Sequence, residues 1–139
     1  MSLLLLACSL HFGVAPAAHR WSVPEVVAAV AEPGVGDAVR AALLDGLSAR
    51  GALDPAAPAL RVEVRAADWL PSRRSGTTLL YDARLQVRIT AGAQVRDAWA
   101  QQSVVDPGVA AAVPELRARV FATLAREVAD ELSAWVSVQ

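Results

Sequence analysis

Two segments of the chain alternate strictly between apolar and polar residues, and this alternation constrains the fold more than any other feature of the sequence. In residues 60–66 the even positions are apolar and the odd positions are charged. Residues 81–89 show the same alternation, with apolar side chains at the odd positions. Because successive side chains of a strand point to opposite faces, each segment is predicted to form a half-buried antiparallel strand.

Two further segments space their apolar residues as an amphipathic helix does. In residues 36–50, apolar side chains recur every four positions, and Gly51 follows where a helix commonly ends in a left-handed glycine. Residues 114–136 begin with a proline, which suits the first helical turn. The apolar face of this second predicted helix comprises Leu116, Val120, Leu124, Val128, Leu132 and Trp135.

The remaining elements have weaker signals. Residues 21–30 are rich in valine, a residue that suits a pleated strand, and they are predicted to form a short first strand. Residues 94–104 are predicted to form a fourth strand with a bulge near Ala98, where the alternation slips. The apolar positions of this fourth strand are Val95, Trp99 and Val104.

The order of these elements is strand, helix, three strands, helix (βαβββα). It predicts an α+β fold, in which a mainly antiparallel four-stranded sheet carries both helices on one face of a two-layer sandwich. The chain has 139 residues, so residues 21–139 are long enough to fold as a single domain without a disulfide or a metal.

The first eight residues resemble the end of a bacterial lipoprotein signal. Four leucines and an alanine precede Cys8, as in a lipobox, where a peptidase cuts before the cysteine and its sulfur receives a diacylglycerol. The apolar stretch is shorter than a complete signal requires, so residues 1–8 are interpreted as a truncated lipoprotein signal. Residues 9–20 are then a tether. The alternative is an apolar N-terminal arm that packs on another subunit.

The reactive groups of the sequence argue against catalysis. Cys8 is the sole cysteine, and both histidines, His11 and His19, also precede every predicted element. Nucleophilic catalysis and zinc binding need such groups to converge within the fold. The protein is therefore predicted not to be an enzyme and to hold no cofactor and no metal. Its net charge of −1 gives no reason to expect a nucleic-acid partner.

Arginines provide the candidate ligand sites. Guanidinium groups bind phosphate and carboxylate groups well. A polar loop is predicted at residues 71–76, where Arg73 and Arg74 follow Trp69, and this set is a candidate contact for a ligand or partner. The polar sides of the two alternating strands form a candidate basic sheet face with Arg61, Arg65, Arg84 and Arg88. The alternative is a solvated face on which arginines pair with acidic neighbours across the strands.

Several runs resemble the LptE-type lipopolysaccharide-assembly lipoproteins. Residues 32–53, with the runs EPGV, DAVRAAL and LSARGAL, resemble the first helix of that family and the turn before it. Residues 60–64 (LRVEV) and 81–87 (YDARLQV) are similar to its second and third strands, and residues 117–132 fit its closing helix.

That resemblance implies a function. Such a protein would be anchored through Cys8 to the outer membrane, on its periplasmic face. It would plug an LptD-like β-barrel and assist the transport and assembly of lipopolysaccharide. Arg73 and Arg74 would then contact acidic sugar or phosphate.

Two alternatives stay open. Residues 132–136 (LSAWV) look more like the end of auxiliary lipoproteins of ABC-type lipid transport systems. A soluble periplasmic or cytoplasmic interaction domain is the other alternative.

Overall fold

A computed structural model describes residues 19–139 of the chain. Its elements are β1 (Val26–Ala28), α1 (Val35–Ala49), β2 (Arg61–Ser75), β3 (Thr78–Ala91), β4 (Gln94–Val105), a short 3₁₀ helix (Ala110–Ala112) and α2 (Val113–Val136). The strands form one sheet in the order β1-β2-β3-β4, with β1 parallel to β2 and the other pairs antiparallel. The predicted α+β fold with a mostly antiparallel four-stranded sheet is confirmed.

Both helices pack on the same side of the sheet, as their apolar stripes predict. α2 lies over β3 and β4, while α1 packs beside α2 and over β1 and β2. The stripe of α1 is fully buried at Val39, Leu43 and Leu47. α2 buries Leu124 and Leu132 completely, whereas Leu116 and Trp135 near its ends are half-buried. We call the side of the sheet without helices the open face.

The two helices approach each other closely at one glycine. A Cβ atom added to Gly46 of α1 would lie 2.7 Å from Oγ and 3.1 Å from Cβ of Ser133 in α2. Both distances are shorter than ordinary van der Waals contacts. A glycine therefore allows the two backbones to come this near.

The hairpin of β2 and β3 is longer than predicted, and the loop predicted at residues 71–76 is wrong. β2 continues to Ser75, and a two-residue turn of Gly76 and Thr77 leads into β3. Gly76 has φ +61°, at the first turn position where glycine favours a type II′ hairpin. β1 pairs with β2 only as far as Val64, so β2 is an edge strand beyond that point and tolerates Pro71.

A bulge at Arg65 also changes which face some side chains occupy. The pairing of β2 with β3 shifts between Val64, opposite Val87, and Ala66, opposite Gln86. One extra residue in a strand reverses the alternation beyond it. Ala66, predicted on the apolar face, consequently lies on the open face.

The bulge predicted in β4 is wrong. β4 pairs with β3 without a register shift, from Val105 opposite Leu80 to Gln94 opposite Ala91. Ala98 and Ala100 point towards α2 and are buried, so Trp99 between them points to the open face. Alanines at the inward positions leave room for the α2 side chains above them.

The beginning of the described chain is tied to the end of α2. The backbone N–H of Trp21 donates to the carbonyl of Ala52 at 2.8 Å, and its indole Nε1 donates to the carbonyl of Val136 at 3.1 Å. The first strand is limited to three residues, whereas residues 21–30 were predicted; Trp21 and Ser22 form only isolated bridges. These bonds fix Trp21 beside the C-terminal end of α2.

Candidate functional surface

The four arginines of the candidate sheet face all lie on the open face, on β2 and β3. Each belongs to the side of its strand opposite the helices, and Arg61, Arg65 and Arg84 are exposed. Four acidic residues share that face with them: Glu63, Asp68, Asp82 and Asp97. The open face is therefore a mosaic of both charges, although the sequence pattern emphasised its basic residues.

Ion pairs hold three of the four arginines. Arg61 lies 2.8 Å and Arg65 3.5 Å from the carboxylate of Glu63. Arg88 donates through Nε and Nη2 to the two carboxylate oxygens of Asp97, each at 2.8 Å. This fork lowers the pKa of Asp97 below its usual value, chiefly through the hydrogen bonds from Arg88. The same hydrogen bonds raise the pKa of the Arg88 guanidinium.

Arg84 forms no ion pair with another residue in the range 19–139. It lies instead at the rim of a polar depression. The depression has a volume of about 430 Å³ and is open to solvent; its lining includes Ser72, Asp82, Arg84, Gln101 and Ser103. Ser103 donates to Asp82 at 2.6 Å, so one carboxylate oxygen is occupied. A guanidinium, an amide and hydroxyls at one place can bind a polar or anionic group.

Trp69 lies on the helix side of the hairpin and is half-buried. Its ring stacks on Tyr81, with 5.2 Å between centroids, and meets Phe121 of α2 at 6.4 Å. The guanidinium of Arg117 lies 5.7 Å from the Trp69 ring centroid. Trp69 therefore anchors the hairpin to α2. From the sequence it was predicted only as a candidate contact for a ligand or partner.

Arg117 connects this aromatic cluster to the turn before α1. Its Nε donates to Oε2 of Glu32 at 2.7 Å, and Glu32 is only 8% exposed. A carboxylate so far from water needs a cationic partner. No sequence signal pointed to this pair, because its members are separated by 85 positions: Glu32 lies in the turn before α1, and Arg117 lies in α2.

The remaining candidate residues lie at the limit of what the structure describes. Arg73 and Arg74 belong to β2, opposite Leu80 and Leu79, next to the hairpin turn; their side chains lie outside the described part. Cys8 and residues 9–18 of the predicted tether lie outside the described residues. The roles predicted for these residues stay predictions.

Two further observations concern residues 19–139. Residues 19–139 contain no group of three or more His, Cys, Asp or Glu side chains placed to hold a metal ion. Within the same range, no helix combines the length and the apolar character needed to cross a membrane.

Comparison with solved structures identifies the kind of protein that shares this fold. No protein-family model and no curated protein matches the chain. A minor lipoprotein from Acinetobacter baumannii matches with a TM-score of 0.57 and 14% identity, over 88% of this chain and 93% of that one. The rare lipoprotein B from Shewanella oneidensis matches with a TM-score of 0.54 and 14% identity, over 85% and 95%. At this identity the likeness shows the fold, which is one found in small bacterial lipoproteins.

Proposed function

We propose that this chain is a non-catalytic outer-membrane lipoprotein whose folded domain docks on an LptD-like β-barrel and assists lipopolysaccharide transport and assembly. Cys8 carries the lipid, and the domain faces the periplasm. The fold shared with two bacterial lipoproteins, over most of their length, is the observation that supports this proposal most.

The shape of the sheet also favours docking over catalysis. One face is covered by two helices, and the other presents charged side chains that ion pairs hold in place. Prearranged charges on a flat surface suit recognition of a partner with complementary charge. The hairpin tip, with Arg73 and Arg74 beside it, extends this surface beyond the end of β1.

The lipid anchor is tested by mass spectrometry of the protein purified from membranes. We expect a chain that begins at Cys8 and carries a diacylglycerol. A Cys8→Ser variant should lose both the lipid and its membrane fraction. An intact Met1 together with a free thiol would contradict the proposal.

The partner is tested by mild detergent extraction and affinity purification of the lipidated chain. We expect an outer-membrane β-barrel to co-purify. The alternative, an auxiliary lipoprotein of an ABC-type lipid transport system, is favoured by the LSAWV ending of α2. Co-purification of an ABC permease component without a barrel would select that alternative.

The role of the hairpin is tested with two matched double variants. Arg73→Ala with Arg74→Ala should weaken binding of lipopolysaccharide and leave the melting temperature unchanged. Arg61→Ala with Arg65→Ala removes the same charge from the same strand, and we expect it to leave binding intact. If only the second pair weakens binding, the open face is the contact instead of the hairpin.

A further inference from the structure

The outer edge of β4 lacks the features that usually prevent a sheet edge from pairing with another strand. It has 12 residues, no proline, no lysine and no bulge. On the other side of the sheet, β1 has only three residues, and the part of β2 that extends beyond β1 carries Pro71 and two register shifts. Within residues 19–139, no strand pairs with the outer side of β4. Long, regular edges of this kind are templates for strand addition.

The two charged residues of β4 are not placed to prevent another strand from pairing with that edge. Arg96 lies 2.8 Å from Glu131 of α2, and Asp97 is held in the fork with Arg88. Each charge is thus directed to its own domain. A charge that repels a second strand would have to be free to face it.

Apolar side chains are instead exposed along β4. Val95, Trp99 and Val105 are 55%, 66% and 57% exposed, and all three lie on the open face. They alternate with polar residues, so the strand presents a mixed row at the rim of the sheet. Exposed aromatic and apolar groups next to unpaired backbone mark an interaction site.

We propose that two copies of this chain pair antiparallel through β4, about a twofold axis at Ala100, to form a continuous eight-stranded sheet. In that register Val95 lies opposite Val105 of the second copy, and Trp99 lies opposite Gln101. Asp97 lies opposite Ser103, so no like charges meet. The two Trp99 side chains become diagonal neighbours, at a Cα separation of roughly 7–8 Å that aromatic rings can span.

A second copy fits this edge because β4 is self-complementary on its open face. Reversal about Ala100 places apolar on apolar and polar on polar at both ends of the strand. With the twofold axis at Trp99 instead, Val95 would lie opposite Ser103 of the second copy. Val105 would then lie past the end of the second copy's β4 and would have no residue of that strand opposite it. Isologous pairing requires such self-complementarity, which an unrelated peptide partner would not. This proposal does not depend on the proposed function.

The association is tested by sedimentation equilibrium of the full chain carrying Cys8→Ser, without lipid or any other protein. We expect a reversible dimer whose dissociation constant rises at least about tenfold in Trp99→Glu, or about 1.4 kcal/mol. Leu70→Glu is the matched control, because Leu70 is 53% exposed and lies on β2, two strands away from the edge strand β4. It should leave the constant unchanged, and thermal unfolding should be similar for both variants.

The register is tested by disulfide formation in the same background. Residues directly opposite in an antiparallel pair have Cα atoms roughly 4.5–5.5 Å apart, within reach of a disulfide. Val95→Cys combined with Val105→Cys should therefore give a covalent dimer on mild oxidation. Within one copy the two positions are roughly 33 Å apart and cannot link.

Each single cysteine variant serves as the control and should remain unlinked. A chain that is monomeric at every concentration reached would overturn the proposal, as would a dimer unaffected by Trp99→Glu. Single variants that crosslink as well as the pair would overturn the register. A monomer that binds an added synthetic strand peptide at β4 would assign the edge to a different partner.

Discussion

Replacing Gly46 with alanine tests how closely α1 and α2 approach. In an isolated helix this change would stabilise by about 1 kcal/mol, because alanine is the better helix former. Here the new Cβ would lie 2.7 Å from Oγ of Ser133, which is fully buried and cannot move away freely. Overpacking costs about 1–3 kcal/mol, and loss of the Ser133 hydrogen bond to the Asp130 carbonyl adds about 1 kcal/mol. We expect a net destabilisation of about 2 kcal/mol.

The same substitution should reverse its sign when Ser133 is replaced by glycine. Ser133→Gly removes both atoms that the new Cβ would meet, so only the helix propensity of alanine remains. Gly46→Ala should then stabilise by about 1 kcal/mol relative to Ser133→Gly alone. The coupling energy between the two sites would be about 3 kcal/mol, at the upper end for residues in direct contact.

Urea unfolding followed by circular dichroism measures all four proteins of this cycle. The midpoint urea concentrations should shift, while the slope of the unfolding free energy against urea concentration (the m-value) stays constant. The slope is unchanged because the surface exposed on unfolding hardly changes. If Gly46→Ala is equally stabilising in both backgrounds, the helices do not meet at this point, and the close crossing described above is incorrect.

Three further predictions concern the core, the open face and the buried ion pair. Leu124→Ala should cost about 2–5 kcal/mol in urea unfolding, and Leu116→Ala clearly less, because only Leu124 is fully buried; equal costs would contradict the packing of α2. Asp97→Asn removes a carboxylate whose pKa is lowered by Arg88, so the wild type should hold a constant stability advantage from neutral pH to about pH 5 and lose it as pH falls through that lowered pKa; an advantage that disappears above pH 5 would refute this. Arg117→Ala leaves the nearly buried carboxylate of Glu32 unpaired and should cost about 1–3 kcal/mol in urea unfolding, whereas Arg119→Ala, at an exposed arginine of the same helix, should cost clearly less.

The helices and the pattern of the two alternating strands were predictable from the sequence. The stripe of α2 has a strong helical period, and its central members Val120, Leu124, Val128 and Leu132 are buried as predicted. Periodicity succeeds here because the helix is long and only one of its faces meets the sheet.

The extent of the hairpin was not predictable by the same reasoning. The alternation of β2 is interrupted at Arg65 and again between Pro71 and Arg73, where the register with β3 shifts. Each bulge adds one residue, so a search for period two ends early. Pro71 strengthened the wrong prediction of a loop, because a proline is tolerated in a strand only at a sheet edge. Pro71 lies at an edge only because β1 ends before it, and the sequence did not show where β1 ends.

The environment of two tryptophans also required the structure. Trp69 was expected beside a polar binding loop, whereas it stacks on Tyr81 and lies 5.7 Å from the guanidinium of Arg117. Trp99 was predicted only as an apolar position supporting a fourth strand, and it is largely exposed. Alanine carries little signal in either direction, so Ala98 and Ala100 could not reveal which side of β4 faces the helices.

The length of β2 sets the distance between the start of the described chain and the hairpin turn. Trp21, near the start of the described residues, is bridged to Leu53, and the adjacent Ser22 is bridged to Ala59, just before β2 begins. The hairpin turn lies beyond the last residue of β2. Fifteen residues of strand span roughly 45 Å. Any contact made at the hairpin turn therefore lies far along the sheet from Trp21, at a distance comparable to the thickness of a membrane.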